Sequence, residues 1–125
     1  MNAHILARTA YAAPTTATRT PRDLEYELLA RATRRIRAAS ESGAADFPAL
    51  AMALHENRRL WDALASDVAD PGNALPQQLR AGIFYLAEFT RTHSRRVLAG
   101  EADPRALVDI NTAVMRGLRP EGART

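Results

Sequence analysis

Cysteine and lysine are both absent from this 125-residue chain, and aromatic residues make up only 6% of it. Without cysteine, the chain can form neither a disulfide framework nor a thiolate metal site, so a reducing compartment is the simplest expectation. No stretch reaches the roughly 18 consecutive apolar residues of a transmembrane helix. Arg8 also interrupts the N-terminal apolar run too early for a secretion signal. We therefore expect a soluble, cytoplasmic protein without a membrane partner.

The residue types that catalysis needs do not occur in a recognisable arrangement. The three histidines, His4, His55 and His93, are far apart in the sequence and have no metal-ligand spacing. The glycines form no phosphate-binding loop, and there is no nucleophile elbow. We therefore predict no enzyme activity, no cofactor, and no catalytic or metal-binding residues.

Arginine supplies all the positive side-chain charge, with 17 basic and 14 acidic residues giving a net charge of +3. Short clusters of arginine can contact the phosphates of a nucleic acid, or they can form solvated helix faces that pair with Glu and Asp. Aromatic residues are not interleaved with these clusters, which argues against single-strand stacking. Nucleic acid is therefore the less favoured partner, although the sequence leaves it open. The clusters are Arg34, Arg35 and Arg37; Arg58 and Arg59; and Arg95 and Arg96.

Apolar residues recur at helical spacing along most of the chain, and no run alternates with the period of a strand. Capping residues bound these segments, with Pro21 at the first position of one helix and Asp46 and Asp103 preceding two others. The sequence predicts an all-α bundle of four main helices at about 20–42, 46–69, 76–99 and 103–117. We expect a helical domain over 20–118, a flexible N-terminal arm over 1–19 and a disordered tail over 119–125.

Asn57 lies near the centre of the apolar sector of the second predicted helix. Burying its amide without hydrogen bonds would cost roughly 1–3 kcal/mol, so nearby groups must satisfy it. We expect the loop at 70–76, which contains Asn73, to supply them. Asn111 also points toward the apolar sector of its own helix. The sequence therefore predicts a structural polar network of Asn57, Asn73 and Asn111.

Partner-binding candidates lie on the second, third and fourth predicted helices. Arginines near one end of the bundle could form a basic rim, and aromatic residues outside the apolar sector of the third helix could anchor a partner. Structural alternatives stay open: Trp61 can lock two helices together, Phe84 can belong to a second core face, and Met115 can fill the core. The candidates are Arg58, Arg59, Trp61, Arg80, Phe84, Tyr85 and Met115.

Several ordered motifs resemble those of FlaF, a family of flagellar biosynthesis regulators in alphaproteobacteria. The resemblance runs from about Tyr11 to Leu118. Its landmarks are Thr20-Pro21-Arg22-Asp23 with Glu25 and Leu28-Leu29, Asn57-Arg58-Arg59-Leu60-Trp61, Pro71-Gly72-Asn73-Ala74-Leu75-Pro76 with Leu79-Arg80-Ala81, Asp109-Ile110-Asn111, and Gly117-Leu118.

The resemblance implies a non-enzymatic factor that flagellin production and secretion require. Members of the family act together with FlbT, a translational regulator of flagellin messenger RNA, and look like flagellin-binding export chaperones. A helical bundle with an exposed apolar strip is compatible with that role, because it can receive an amphipathic helix of a client in a groove. The alternatives are an RNA-associated regulator that contacts flagellin message through Arg34, Arg37, Arg58 and Arg59, and an oligomeric scaffold without a client.

Overall fold

Four α-helices account for the regular structure of the residues that the computed structural model describes, 21–42 and 46–118. These residues contain no strand, and every helix end lies within two residues of its predicted position. The all-α prediction is therefore confirmed, while the predicted arm at 1–19 and tail at 119–125 lie outside the described residues. The helices are α1 (Pro21–Glu41), α2 (Phe47–Ala69), α3 (Gln77–Leu98) and α4 (Arg105–Leu118).

Local sequence signals explain where several helices begin and end. Gly100 follows α3 with φ of 77°, in the left-handed region that glycine enters without steric cost. Before α4, Asp103 Oδ1 accepts a hydrogen bond from the Arg105 amide at 2.7 Å, as predicted for a capping residue. Asp46 occupies the N-cap position of α2, but its side chain makes no capping bond.

The helices pack around a core that has two apolar parts. Helix α1 packs against both α2 and α4, α2 packs against α3, and α3 and α4 meet only sparsely. The short connections make consecutive helices antiparallel. We call the two parts the Trp61 cluster (Leu29, Ala32, Leu60, Trp61, Leu64, Ala65 and Ala87) and the Leu54 cluster (Ile36, Ala53, Leu54, Val97 and Leu107).

A layer of buried polar side chains separates the two clusters. Each helix carries one or two of these polar residues. On each helix they follow a residue that packs in one cluster and precede a residue that packs in the other. Trp61 Nε1 donates to Asn111 Oδ1 at 2.8 Å, and Asn111 Nδ2 donates to Asn57 Oδ1 at 2.8 Å. These bonds join α2 to α4 across the core and fix their relative height. The layer consists of Thr33, Asn57, Thr90, Ser94 and Asn111.

The expected source of hydrogen bonds for Asn57 was wrong. Its side-chain oxygen is satisfied by Asn111, which lies far away in the sequence, and not by the loop at 70–76. That loop follows the end of α2, about 20 Å along the helix axis from Asn57 at 1.5 Å per residue. Asn57 and Asn111 are both fully buried, and this bond joins their two amides.

Asn73 belongs to a second, separate network that closes the α2–α3 loop. Its Nδ2 donates to Asp67 Oδ2 at 3.3 Å, and its Oδ1 accepts from the Leu75 amide at 3.0 Å. Arg80 donates from Nε to the Val68 carbonyl at 2.8 Å and from Nη2 to the Asp70 carbonyl at 2.9 Å. The loop therefore satisfies its own polar groups with the first turn of α3.

Across the described residues, none of the helices combines the length and the apolar character that a bilayer-spanning segment requires.

Candidate partner-binding surfaces

Trp61 and Met115 both contribute to the core. Trp61 is fully buried and donates its indole hydrogen to Asn111, so its role is the structural alternative that the sequence left open. Met115 is half-buried against the Trp61 cluster, with its sulfur 3.9 Å from Thr33 Oγ1. Neither side chain offers a partner a large exposed surface.

The three predicted rim arginines have three different environments. Arg80 is half-buried and holds the α2–α3 loop through its bonds to two carbonyls. Arg58 is half-buried, and its Nε is enclosed without a hydrogen-bond partner. Arg59 is exposed on α2 and faces α1 across a groove. The predicted rim is therefore not one continuous patch.

Three aromatic side chains are exposed on α3, and we call them the aromatic patch: Phe84, Tyr85 and Phe89. Tyr85 is 67% exposed and Phe84 is 46% exposed. Phe89 is 36% exposed. Tyr85 and Phe89 are four residues apart, so they are neighbours on the helix surface.

Tyr85 lies on the side of α3 that faces away from the core, and Phe84 and Phe89 lie on the two flanks of that side. The buried side of the helix carries Ala87, Thr90, Ser94 and Val97. Its exposed side carries the patch together with exposed small and polar residues, including Gly82. Exposed aromatic groups rimmed by polar residues mark interaction sites more often than scattered single apolar residues do.

Phe89 is an element of this surface that the sequence analysis did not single out. Its ring stacks on His93 with centroids 5.1 Å apart. His93 Nε2 in turn hydrogen-bonds to the Asp103 carbonyl at 2.8 Å. The signal was available in the sequence, because Phe89 and His93 continue the i, i+4 row that begins at Tyr85.

A second surface feature is an open groove between α1 and α2. We call it the arginine groove, and the section beside Leu28 and Leu60 has a volume of about 240 Å³. Arg35 and Glu56 form an ion pair across it, and hydrogen bonding from Arg35 holds the pKa of the Glu56 carboxyl below its ordinary value. The lining consists of Leu28, Arg31, Ala32, Arg35, Glu56, Arg59 and Leu60.

Comparison with known families identifies the kind of protein to which these features belong. The model of the flagellar protein FlaF family matches residues 7–118. The chain belongs to the FlaF family. No match was found to any curated protein or to any solved structure.

The motifs that carry the FlaF resemblance mostly build the fold. Asn57 and Trp61 from one motif bond to Asn111 from another and so connect α2 to α4. Asn73 and Arg80, from the loop motifs, close the α2–α3 connection. The FlaF-family match also spans the aromatic patch, which lies outside those motifs, and the arginine groove, to which the motifs contribute Leu28, Arg59 and Leu60.

Metal ligands do not converge in the part of the chain that the structure describes. Within 21–42 and 46–118, no group of three or more histidine, aspartate or glutamate side chains could hold a metal ion. The exposed features of this region are an aromatic surface and a basic groove, both of which suit recognition of another molecule.

Proposed function

We propose that this FlaF-family protein binds flagellin in the cytoplasm and supports its synthesis and secretion as an export chaperone. The family assignment places the protein in flagellar biology. The observation that carries the more specific proposal is the exposure of Tyr85 and Phe89, one turn apart on α3, together with the exposure of Phe84 on the same helix. Three exposed aromatic rings in a small bundle are well suited to bind an apolar helix.

Binding would proceed by shape and burial, without any covalent step. An amphipathic helix of unpolymerised flagellin would lay its apolar side on the aromatic patch. Removing apolar surface from water contributes about 25 cal/mol per Å², and a specific complex buries roughly 1,200–2,000 Å² in total. Covering such a helix would keep flagellin from assembling before export. FlbT is a further partner that this proposal accommodates.

Direct binding of flagellin message is the competing function, and the arginines proposed for it differ in exposure. Arg34, Arg37 and Arg59 are exposed, whereas Arg58 is half-buried with its Nε enclosed. All four lie on α1 and α2, where Phe47 is the one exposed aromatic ring among the described residues, whereas Phe84, Tyr85 and Phe89 are on α3. This separation favours a protein client over single-stranded RNA.

Salt dependence separates the two functions. The purified protein would be titrated with monomeric flagellin and, separately, with flagellin message at about 50 mM and about 200 mM salt. Four phosphate contacts predict a roughly 50-fold loss of RNA affinity over this range, whereas apolar helix docking should change by less than about threefold. We expect flagellin to bind at both salt concentrations, with affinities that differ by less than about threefold. Absence of flagellin binding, together with tight and steeply salt-dependent RNA binding, would replace the chaperone proposal with the RNA one.

A further inference from the structure

We propose that the arginine groove is a second docking site, which binds an acidic amphipathic helix of a partner protein. The groove is separate from the aromatic patch, because α1 makes no close contact with α3. A partner in the groove and a client on the patch could therefore be bound at the same time.

The floor of the groove is apolar and its rims are charged. Leu28 and Ala32 from α1 meet Leu60 from α2 along the floor. Leu28 remains half-exposed, while Ala32 and Leu60 are buried. A partner side chain such as leucine would complete this apolar contact, and burying it fully would contribute about 1.5–3 kcal/mol.

Arg31 and Arg59 stand on opposite rims of the groove. Because α1 and α2 run antiparallel and Arg35 pairs with Glu56, moving one turn along each helix brings Arg31 and Arg59 to the same level. Neither forms an ion pair within the described residues, and both are exposed. A partner carboxylate placed between them could accept charge-assisted hydrogen bonds from both, beside the Glu56 carboxylate, whose pKa Arg31 already helps to lower.

The Arg35–Glu56 pair shows the same chemistry already at work inside the groove. There the carboxylate of one helix binds the guanidinium of the other across the gap. The groove continues past this pair into a section of about 320 Å³, where the side chain of Met52 is 62% exposed. The recess therefore extends over several helical turns, which suits an elongated helix better than a small anion.

Charge argues against two other occupants. Residues 1–20 of this chain contain no aspartate or glutamate but include Arg8 and Arg19, so that segment carries the wrong charge for the groove. Single-stranded RNA has the right charge, but no aromatic residue lines either section of the groove for base stacking. An acidic helix with an apolar stripe could pair its carboxylates with the arginines of the rims and pack its apolar side chains on the floor.

The test uses the full-length protein and a designed helical peptide as probe. The fluorescein-labelled peptide of about five turns carries leucine at i, i+3, i+4 and i+7 spacing, with flanking glutamates. Its twin has every glutamate replaced by glutamine. We expect the glutamate peptide to bind with a Kd at least about tenfold lower than that of the twin.

Protein variants then locate the site. Arg31→Glu combined with Arg59→Glu should raise the Kd for the glutamate peptide at least about tenfold. Arg34→Glu combined with Arg95→Glu makes the same change in net charge at exposed positions outside the groove, and it should raise the Kd by less than about threefold. Phe84→Ala combined with Tyr85→Ala should leave peptide binding unchanged, which separates this proposal from flagellin binding. Circular dichroism confirms that each variant is folded.

Four results would overturn the proposal. They are no peptide binding up to about 1 mM, equal binding of the glutamate and glutamine peptides, and equal losses in the groove variant and its charge-matched control. The fourth is a single-stranded RNA oligonucleotide that displaces the peptide and loses its own affinity in the groove variant, which would assign the groove to nucleic acid.

Discussion

Asn111 and Asn57 are joined side chain to side chain, with Asn111 Nδ2 donating to Asn57 Oδ1 at 2.8 Å. Both residues are fully buried, and Asn111 also accepts the indole hydrogen of Trp61. One amide on α4 therefore satisfies two groups on α2 between the two apolar clusters. Such an arrangement stabilises one relative position of the two helices, because a shift along either axis would leave polar groups unpaired in the core.

Replacing Asn111 by alanine should lower the free energy of unfolding by about 2–5 kcal/mol, because Trp61 Nε1 and Asn57 Oδ1 would both lose their buried partner. Urea denaturation followed by the emission of Trp61, the only tryptophan, measures this change. Thr112→Ala is the neighbouring control and should cost less than about 1 kcal/mol, since the Thr112 hydroxyl bonds only to the Val108 carbonyl of its own helix. Equal effects of the two substitutions would contradict the proposed role of the amide.

Gly82→Ala should stabilise the protein by about 0.5–1 kcal/mol. Gly82 lies inside α3, and a Cβ added there would meet nothing within 4 Å. Gly100→Ala is the matched control and should destabilise the protein, because Gly100 has a positive φ of 77° although its surroundings are equally open. Thermal unfolding should therefore give shifts of opposite sign. Shifts of the same sign would show that the backbone at one of these positions differs from this structure.

Arg80→Ala should destabilise the protein by about 1–3 kcal/mol, because it removes two charge-assisted hydrogen bonds to the Val68 and Asp70 carbonyls. Hydrogen exchange should also quicken in the α2–α3 loop, at the Asn73 and Leu75 amides. Gln78→Ala, which changes a nearby exposed residue, serves as the control. If the Arg80 variant keeps full stability and slow hydrogen exchange but no longer binds a partner protein, Arg80 contributes to partner binding and not to the stability of the loop.

Glu56 should titrate below its ordinary pKa of 4.5, because Arg35 hydrogen-bonds to its charged form. The stabilisation from this pair is present above about pH 4.5 and is lost as the pH falls through the lower pKa of the folded state. It should amount to less than about 1 kcal/mol, since both side chains are more than one-third exposed. Carbon-detected NMR titration should show the pKa of Glu56 rising in Arg35→Gln and staying unchanged in Arg34→Gln. If the pKa of Glu56 is the same in Arg35→Gln as in the wild type, Arg35 and Glu56 do not form this ion pair in solution.

Periodicity and capping residues were sufficient to predict the helices, because each apolar stripe has to face a core and each end carries a local signal. The same reasoning placed Asn57 and Asn111 inside, yet it assigned Asn57 to the wrong partner. A helical wheel gives the direction of a side chain but not which distant helix lies opposite at the same height. Both amides fell in apolar sectors, so pairing them was the inference that the sequence would have supported.

The candidate surfaces were predicted less completely than the fold. Tyr85 was identified because it lies outside the apolar sector, whereas Trp61 and Arg80 are occupied by bonds that only the tertiary structure reveals. The arginine groove was missed because it depends on two helices. Arg31 and Arg35 have the spacing of a solvated helix face, and only the packing of α1 on α2 brings Arg59 to the same groove.

The affinity of the purified protein for monomeric flagellin, measured by calorimetry, tests the chaperone proposal most directly. Phe84→Ala combined with Tyr85→Ala should weaken binding by about 30-fold or more, which corresponds to the roughly 2 kcal/mol expected of aromatic hot spots. Thermal stability should barely change, because both rings are exposed. Phe47→Ala, which removes a 47% exposed ring from α2, should bind flagellin as the wild type does. Wild-type affinity in the folded double variant would contradict the account.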